Sequence, residues 1–199
     1  MKILVVADEE EASLWDYWTK DKTKDVDLIL SAGDLKAEYL SFLVTMVGKP
    51  VFYVCGNHDG SYEKRPPEGC DCIDGKIISY NGVRILGLGG SMYYSGGPYQ
   101  YSEEKMRARI RRLFFKLRKS GGVDILLTHA PVCGYGDGED LPHRGFECFI
   151  SLIEKYHPKY LVHGHIHKSY GHDFQRCRKI GDTEVVNASG HYFIEISRH

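Results

Sequence analysis

Five short apolar runs, at residues 2–7, 26–31, 51–55, 123–128 and 159–163, constrain this chain more than any other feature of its sequence. Each is rich in β-branched residues, too short for a helix, and most end in Gly, Asp, Asn or His, which is how buried strands read. Amphipathic segments lie between them: 10–21 with Leu14, Trp15 and Trp18, 36–47 with Leu40, Leu43 and Met46 or Val47, and 146–156. Strand and helix patterns that alternate in this way predict an α/β fold. The alternation breaks twice. Ile77 to Tyr80 and Val83 to Leu88 flank Asn81-Gly82, the strongest two-residue hairpin signal. Near the end, Cys177 to Ile180, residues 183–188 and residues 192–196 read as successive strands, with a second hairpin about Gly181-Asp182. The expectation is two mixed β-sheets with helices outside.

The segment 102–119 reads as a helix, with Met106, Ile110, Leu113 and Leu117 on one face and Glu103 and Glu104 at the end where the macrodipole favours acids. Eight Lys or Arg between Lys105 and Lys119 make its other face basic, a surface for nucleic acid or, more often, a solvated helix face. Across all 199 residues, 26 basic side chains balance 27 acidic ones, a net charge of −1, so a nucleic acid or an anionic membrane would need a local patch. No repeat or Pro, Gly or Ser-rich linker divides the chain, and one domain over residues 1–199 is expected. The first apolar run is too short for a secretory signal, and no stretch reaches the roughly 18 apolar residues of a membrane span. The chain is expected to be soluble and cytoplasmic, with its six cysteines reduced. Cys70 and Cys72 form a C-x-C that lacks the second pair a structural zinc site needs.

The chemistry collects where the runs end. Asp8 closes the first, Gly33-Asp34 the second, Gly56-Asn57-His58-Asp59 the third, His129 the fourth, and His163-Gly164-His165-Ile166-His167 the fifth. Open α/β sheets place their sites at these carboxyl ends. Singly, each residue has an ordinary explanation: a helix cap, a turn, a hydrogen-bonded core histidine. Together they bring carboxylates, an amide and imidazoles to one edge, a density that is self-repulsive unless cations are bound there.

The ordered series resembles the calcineurin-like metallophosphoesterase family, whose motifs run D-x-H, G-D, G-N-H-[DE], H and G-H-x-H. Gly33-Asp34, Gly56-Asn57-His58-Asp59, His129 and Gly164-His165-Ile166-His167 match in full, while Asp8-Glu9-Glu10 has Glu10 where the family usually has histidine. The resemblance spans about residues 3–196 and implies a four-layer αββα sandwich with two divalent metals at the sheet ends. It implies that Asp34 bridges them, with Asp8 and His167 on one and Asn57, His129 and His165 on the other. Mixed oxygen and imidazole ligands suit Mn²⁺, Fe or Zn²⁺. If the first strand continues past Asp8, its period of two turns Glu10 to the same face, where a carboxylate would bias the site toward Mn²⁺ or Fe²⁺. Such a centre implies a bridging hydroxide attacking a phosphoester in line.

By the same resemblance His58 faces substrate and protonates the leaving oxygen, with Asp59 orienting its imidazole. Arg144 and His143, in the segment after His129, are candidates for contacting the substrate, Arg144 because its fork matches phosphate oxygens. The tyrosines of 91–101 stack on a base or belong to an ordinary ordered loop, the second being preferred. The expected partner is a small-molecule phosphoester, a diester ahead of a monoester, with nucleic acid not favoured and no membrane partner expected. A nuclease resting on the basic helix, and a non-catalytic scaffold like the family's retromer subunit, are the alternatives.

Overall fold

A run of consecutive apolar residues must be covered on both faces, and Ile3 to Ala7 of the first run are all buried. The computed structural model describes residues 1–167 and 174–197. In chain order the elements are β1 (Lys2–Ala7), β2 (Leu28–Ser31), α1 (Ala37–Val47), β3 (Val51–Tyr53), β4 (Asp71–Cys72), β5 (Ile77–Tyr80), β6 (Val83–Leu88), β7 (Ser91–Met92) and β8 (Gln100–Tyr101). They continue with α2 (Glu103–Arg112), α3 (Phe114–Ser120), β9 (Ile125–Thr128), α4 (Cys148–Tyr156), β10 (Tyr160–His163), β11 (Cys177–Ile180), β12 (Thr183–Asn187) and β13 (Gly190–Glu195). One sheet has the order β13-β1-β2-β3-β4 and the other β11-β12-β10-β9-β6-β5. In each, the inner strands are parallel and an antiparallel strand closes at least one edge, as β13 does on β1 and β5 on β6.

Alternation along β1 divides its side chains between two layers. Ile3 and Val5 meet Ile125, Leu127 and Val162 between the sheets, while Leu4 and Val6 pack with Tyr39, Leu40 and Leu43 of α1. On the far side, Leu86, Leu126 and Leu161 lie under Met106, Leu117, Phe149 and Leu152 of α2, α3 and α4. The fold is the four-layer αββα sandwich. Among the described residues, no helix is long and apolar enough to cross a membrane.

Three expectations need correction. Residues 10–21 form no α-helix but two short 3-10 turns, Ala12–Leu14 and Lys20–Thr23. Trp15 packs on Tyr39 and Phe42 at ring distances of 5.1 and 6.5 Å, so its contacts with α1, rather than a helical period, set this segment's path. The helix of 102–119 is two helices, α2 ending at Arg112 and α3 beginning at Phe114, with Leu113 (φ −88°, ψ −4°) as the joint between them. Its basic face is split as well: Arg109 turns inward to Asp74 at 2.6 Å, to the Gly89 carbonyl at 2.8 Å and over the Tyr101 ring. Finally, β13 leaves its sequence neighbours and crosses to β1 in the other sheet, which joins the two halves of the sandwich. The Asn81-Gly82 hairpin is as expected, with φ of 50° and 85° at its two central residues.

Candidate metal centre

The parallel strands β1, β2, β3, β9 and β10 all deliver their carboxyl ends to one edge of the sandwich, and the two sheets meet the site from either side. Asp8, Asp34 and His165 each follow a strand in the left-handed region, with φ of 65°, 57° and 69°. For a residue with a Cβ this conformation costs on the order of 1–2 kcal/mol, and such strain concentrates at functional sites. It folds the chain back just after each strand. Glycines make room for the turn: a Cβ on Gly56 would meet His129 Cε1 at 2.6 Å, and one on Gly164 would meet Asp8 Oδ2 at 2.9 Å.

His129 is at the middle. Its Nδ1–H donates to the Ala32 carbonyl at 2.7 Å, which directs Nε2 at Asn57 Oδ1 (3.0 Å), His165 Nδ1 (3.1 Å) and Asp34 Oδ2 (3.3 Å). His165 is tied by its other nitrogen, Nε2–H donating to the Pro142 carbonyl at 2.7 Å, so its Nδ1 lone pair also faces inward. Asn57 is fixed by its Nδ2–H, which donates to the Tyr94 hydroxyl at 3.1 Å and leaves Oδ1 turned to His129. Four acceptors thus crowd one point. Ligand atoms bound at about 2.0–2.1 Å to one ion stand about 2.9 Å apart at right angles and about 3.4 Å apart at the tetrahedral angle, which brackets the spacings here. The donor set fits a divalent cation, and the ligand atoms of Asp34, His129 and His165 all lie within 4.8 Å of one another.

The charges respond to this crowding. Burial works to lower the His129 pKa, but the Asp34 carboxylate, with Asp8 behind it, outweighs burial and holds it above the ordinary value. Asp34 moves the opposite way: burial raises it, and the charge and hydrogen bond of His129, with the His58 N–H, bring it down. Burial pushes Asp8 up to about 6 and His165 down to about 3.

The remaining residues occupy definite places. Asp8 accepts the His165 backbone N–H on both oxygens, at 2.8 and 3.0 Å. His167 stands at the rim, its Nδ1 3.5 Å from Glu9 Oε1. The strand does not continue past Ala7, and the turn at Asp8 reverses the faces: Glu10 accepts the Lys36 N–H at 2.9 Å and pairs with its ammonium at 3.5 Å, away from the group. Glu9 takes the side toward the centre. The His58 side chain is exposed at the mouth while its N–H donates to Asp34 Oδ1 at 2.8 Å. Asp59 does not orient the His58 ring. Its buried Oδ2 accepts the N–H of Gly56 at 2.7 Å and of Asp34 at 2.9 Å, pinning two ligand loops together.

A cleft of about 690 Å³ opens beside His167, bounded by His143, His163, Tyr135, Phe174 and Arg178. His143 reaches it with its ring 5.4 Å from that of His165, held by Asp140 at 2.7 Å. Arg144 does not: it is exposed, with its guanidinium on the Cys133 thiol. Sequence reasoning missed Glu9, Tyr94 and the Pro142 carbonyl. Only Tyr94 left a signal, as one of the tyrosines in a Gly and Pro-rich loop after β7.

Two solved structures share the fold. One has a TM-score of 0.68 at 16% identity, covering 97% of this chain and 94% of that one. The other, TT1561 of Thermus thermophilus, has a TM-score of 0.62 at 18% identity over 94% of this chain and 88% of that one. Among sequences, UPF0046 protein K07C11.7 of Caenorhabditis elegans is 25% identical over 192 residues, 83% of this chain and 63% of the relative. UPF0046 protein T07D4.2 of the same organism is 40% identical over 68 residues, 33% of this chain and 16% of the relative. The chain thus spans less than two-thirds of the length of either. The calcineurin-like phosphoesterase family matches residues 1–169, which take in the whole strand-end series, and the chain belongs to that family.

Proposed function

We propose that this chain hydrolyses phosphoester bonds, a phosphodiester of a small molecule in preference to a monoester, in a two-metal centre at the strand ends. The convergence of Asn57 Oδ1, His165 Nδ1 and Asp34 Oδ2 on His129 Nε2 carries this reading. Asp34, Asn57, His129 and His165 would hold one ion, and Asp34, Asp8 and His167 a second. Glu10 no longer argues for a particular metal, and the mixed oxygen and imidazole set suits Mn²⁺, Fe or Zn²⁺. Divalent ions bound there supply a nucleophile from water at neutral pH and balance phosphoryl charge.

The protein's own groups do the rest. Ala32, Pro142 and Tyr94 fix which atoms of His129, His165 and Asn57 face inward, a supporting shell that ligand geometry depends on. Glu9, beside His167 Nδ1, serves the same purpose as a positioning residue. His58, exposed at the mouth and anchored through its backbone, is free to rotate its ring toward a leaving oxygen and give it a proton. The adjoining cleft, about 690 Å³, is in the range of small-molecule sites, which favours a small ester over a nucleic acid strand. The basic residues behind a nuclease reading lie on α2 and α3, outside the second sheet, and no candidate ligand is among them.

The test compares bis-p-nitrophenyl phosphate with p-nitrophenyl phosphate, using protein stripped of metal and reloaded with Mn²⁺. Metal-dependent turnover, faster on the diester and reduced at least about a hundredfold in His58→Ala, is the expected result. Equal turnover in the variant removes His58 from the chemistry, and faster turnover of the monoester reverses the preference.

A further inference from the structure

The outer helical layer over the second sheet carries a surface that the strand-end site does not use. Of the eight basic residues between Lys105 and Lys119, Arg109 is turned inward, and Arg107 pairs with Glu103 at 3.0 Å and Glu147 at 3.6 Å. Lys105, Arg111, Arg112, Lys116, Arg118 and Lys119 are exposed. Among the described residues, none of these six has a carboxylate at ion-pairing distance. In their midst Phe115 is 81% exposed and Phe114 41%, the two rings edge to face at 5.5 Å.

Helical geometry arranges these groups. Leu113 and Leu117 point into the core, and steps of roughly 100° per residue then set Phe115 on the opposite, outward side, with Arg118 and Lys119 flanking it. Arg111, near the end of α2, lines the same groove as Phe115, and Arg112 beside it is exposed. Next to Phe114, a groove of about 560 Å³ runs between α2, α3 and α4, lined by Ile110, Leu117 and Leu152. A protruding aromatic ring inside a collar of unpaired cations suits the boundary of an anionic bilayer. The ring enters at headgroup level, the cations meet lipid phosphates, and their aliphatic stems cover the apolar surface between. The chain as a whole has a net charge of −1, so the attraction is confined to this one face. Nucleic acid would use the cations but leaves the apolar floor of the groove, Ile110, Leu117 and Leu152, uncovered, whereas a bilayer covers both.

We propose that the α2–α3 face docks the protein reversibly on anionic membranes, with Phe115 inserted at headgroup level and the six unpaired cations on the lipid phosphates. The experiment is co-sedimentation of the full chain with phosphatidylcholine vesicles, with and without one quarter phosphatidylserine, beside a single-stranded oligonucleotide. Binding is expected only to the anionic vesicles, and it should be lost at high salt. It should weaken about fivefold in Lys119→Gln and about tenfold in Phe115→Ser. Phe115 is so exposed that the serine variant should keep the wild-type melting midpoint, so a loss of binding reports on the surface. Failure to bind vesicles, equal binding to both kinds, or full binding by Phe115→Ser would overturn the proposal. Oligonucleotide binding in place of vesicle binding would assign the patch to nucleic acid. Neither metal nor hydrolysis enters the assay, so its outcome is independent of the proposed activity.

Discussion

His129 has one ring nitrogen committed to a backbone carbonyl and the other facing three acceptors, so something positive must sit among them. Without metal, the Asp34 and Asp8 carboxylates favour a proton there, holding the His129 pKa above its ordinary value against the effect of burial. A divalent ion competes with that proton. Because the pKa is raised, competition persists above pH 7: metal affinity should rise with pH through neutrality, fall on acidification, and release protons on binding. Calorimetry of Mn²⁺ binding in buffers of different ionisation enthalpy measures this directly, and heats that do not depend on the buffer would contradict it. Glu9 and Glu10 give a second check. Glu10→Gln should leave metal affinity unchanged, whereas Glu9→Gln should lower it about tenfold to a hundredfold, the usual effect of removing a group that orients a ligating histidine. Metal content after dialysis against a graded chelator distinguishes the two. The candidate ligands were legible because each ends an apolar run. The choice between Glu9 and Glu10 was not, because the positive φ of Asp8 reverses the faces and an aspartate there gives no sign of it.

At the scale of elements, the site depends on how loops after separate strands are joined. The Asp59 carboxylate bonds the loop after β3 to itself at Gly56 and to the loop after β2 at Asp34. Asp59→Ala leaves one buried and one part-buried N–H group without this acceptor and should cost about 2–4 kcal/mol in urea unfolding. Asp59→Asn retains an acceptor oxygen and should recover much of that loss; in both variants the pH profile of the remaining activity should keep its shape. A changed profile would instead place Asp59 in the proton chemistry. Elements governed by local rules were the easiest to read: Asn81-Gly82 specifies its hairpin through two positive φ angles, and α1 follows its apolar period. The path of 10–21 depends on Trp15 finding Tyr39, and the inward turn of Arg109 on its reaching Asp74. Both are contacts between residues distant in sequence, which periodicity does not carry.

For the whole molecule, two mixed sheets with helices outside followed from counting buried strands and amphipathic segments, and their four-layer order from the family resemblance, but the pairing of β13 with β1 followed from neither. That crossing depends on which sheet has an edge to offer, a property of the assembled fold. Its effect is to lock together two sheets whose strand ends form opposite walls of one site: Asp8, Asp34 and Asn57 from the first, His129, His165 and His167 from the second. The central claim is that this shared edge is a metal centre that cleaves phosphoesters. Its most direct test is turnover of bis-p-nitrophenyl phosphate while Mn²⁺ is titrated into the stripped protein, with bound metal counted in the same samples. Turnover should be absent at the start, climb with bound metal and level off at two ions per chain, with Asp34→Asn giving neither tight binding nor turnover. Two ions bound without turnover of either nitrophenyl ester, or turnover indifferent to metal, would contradict the claim.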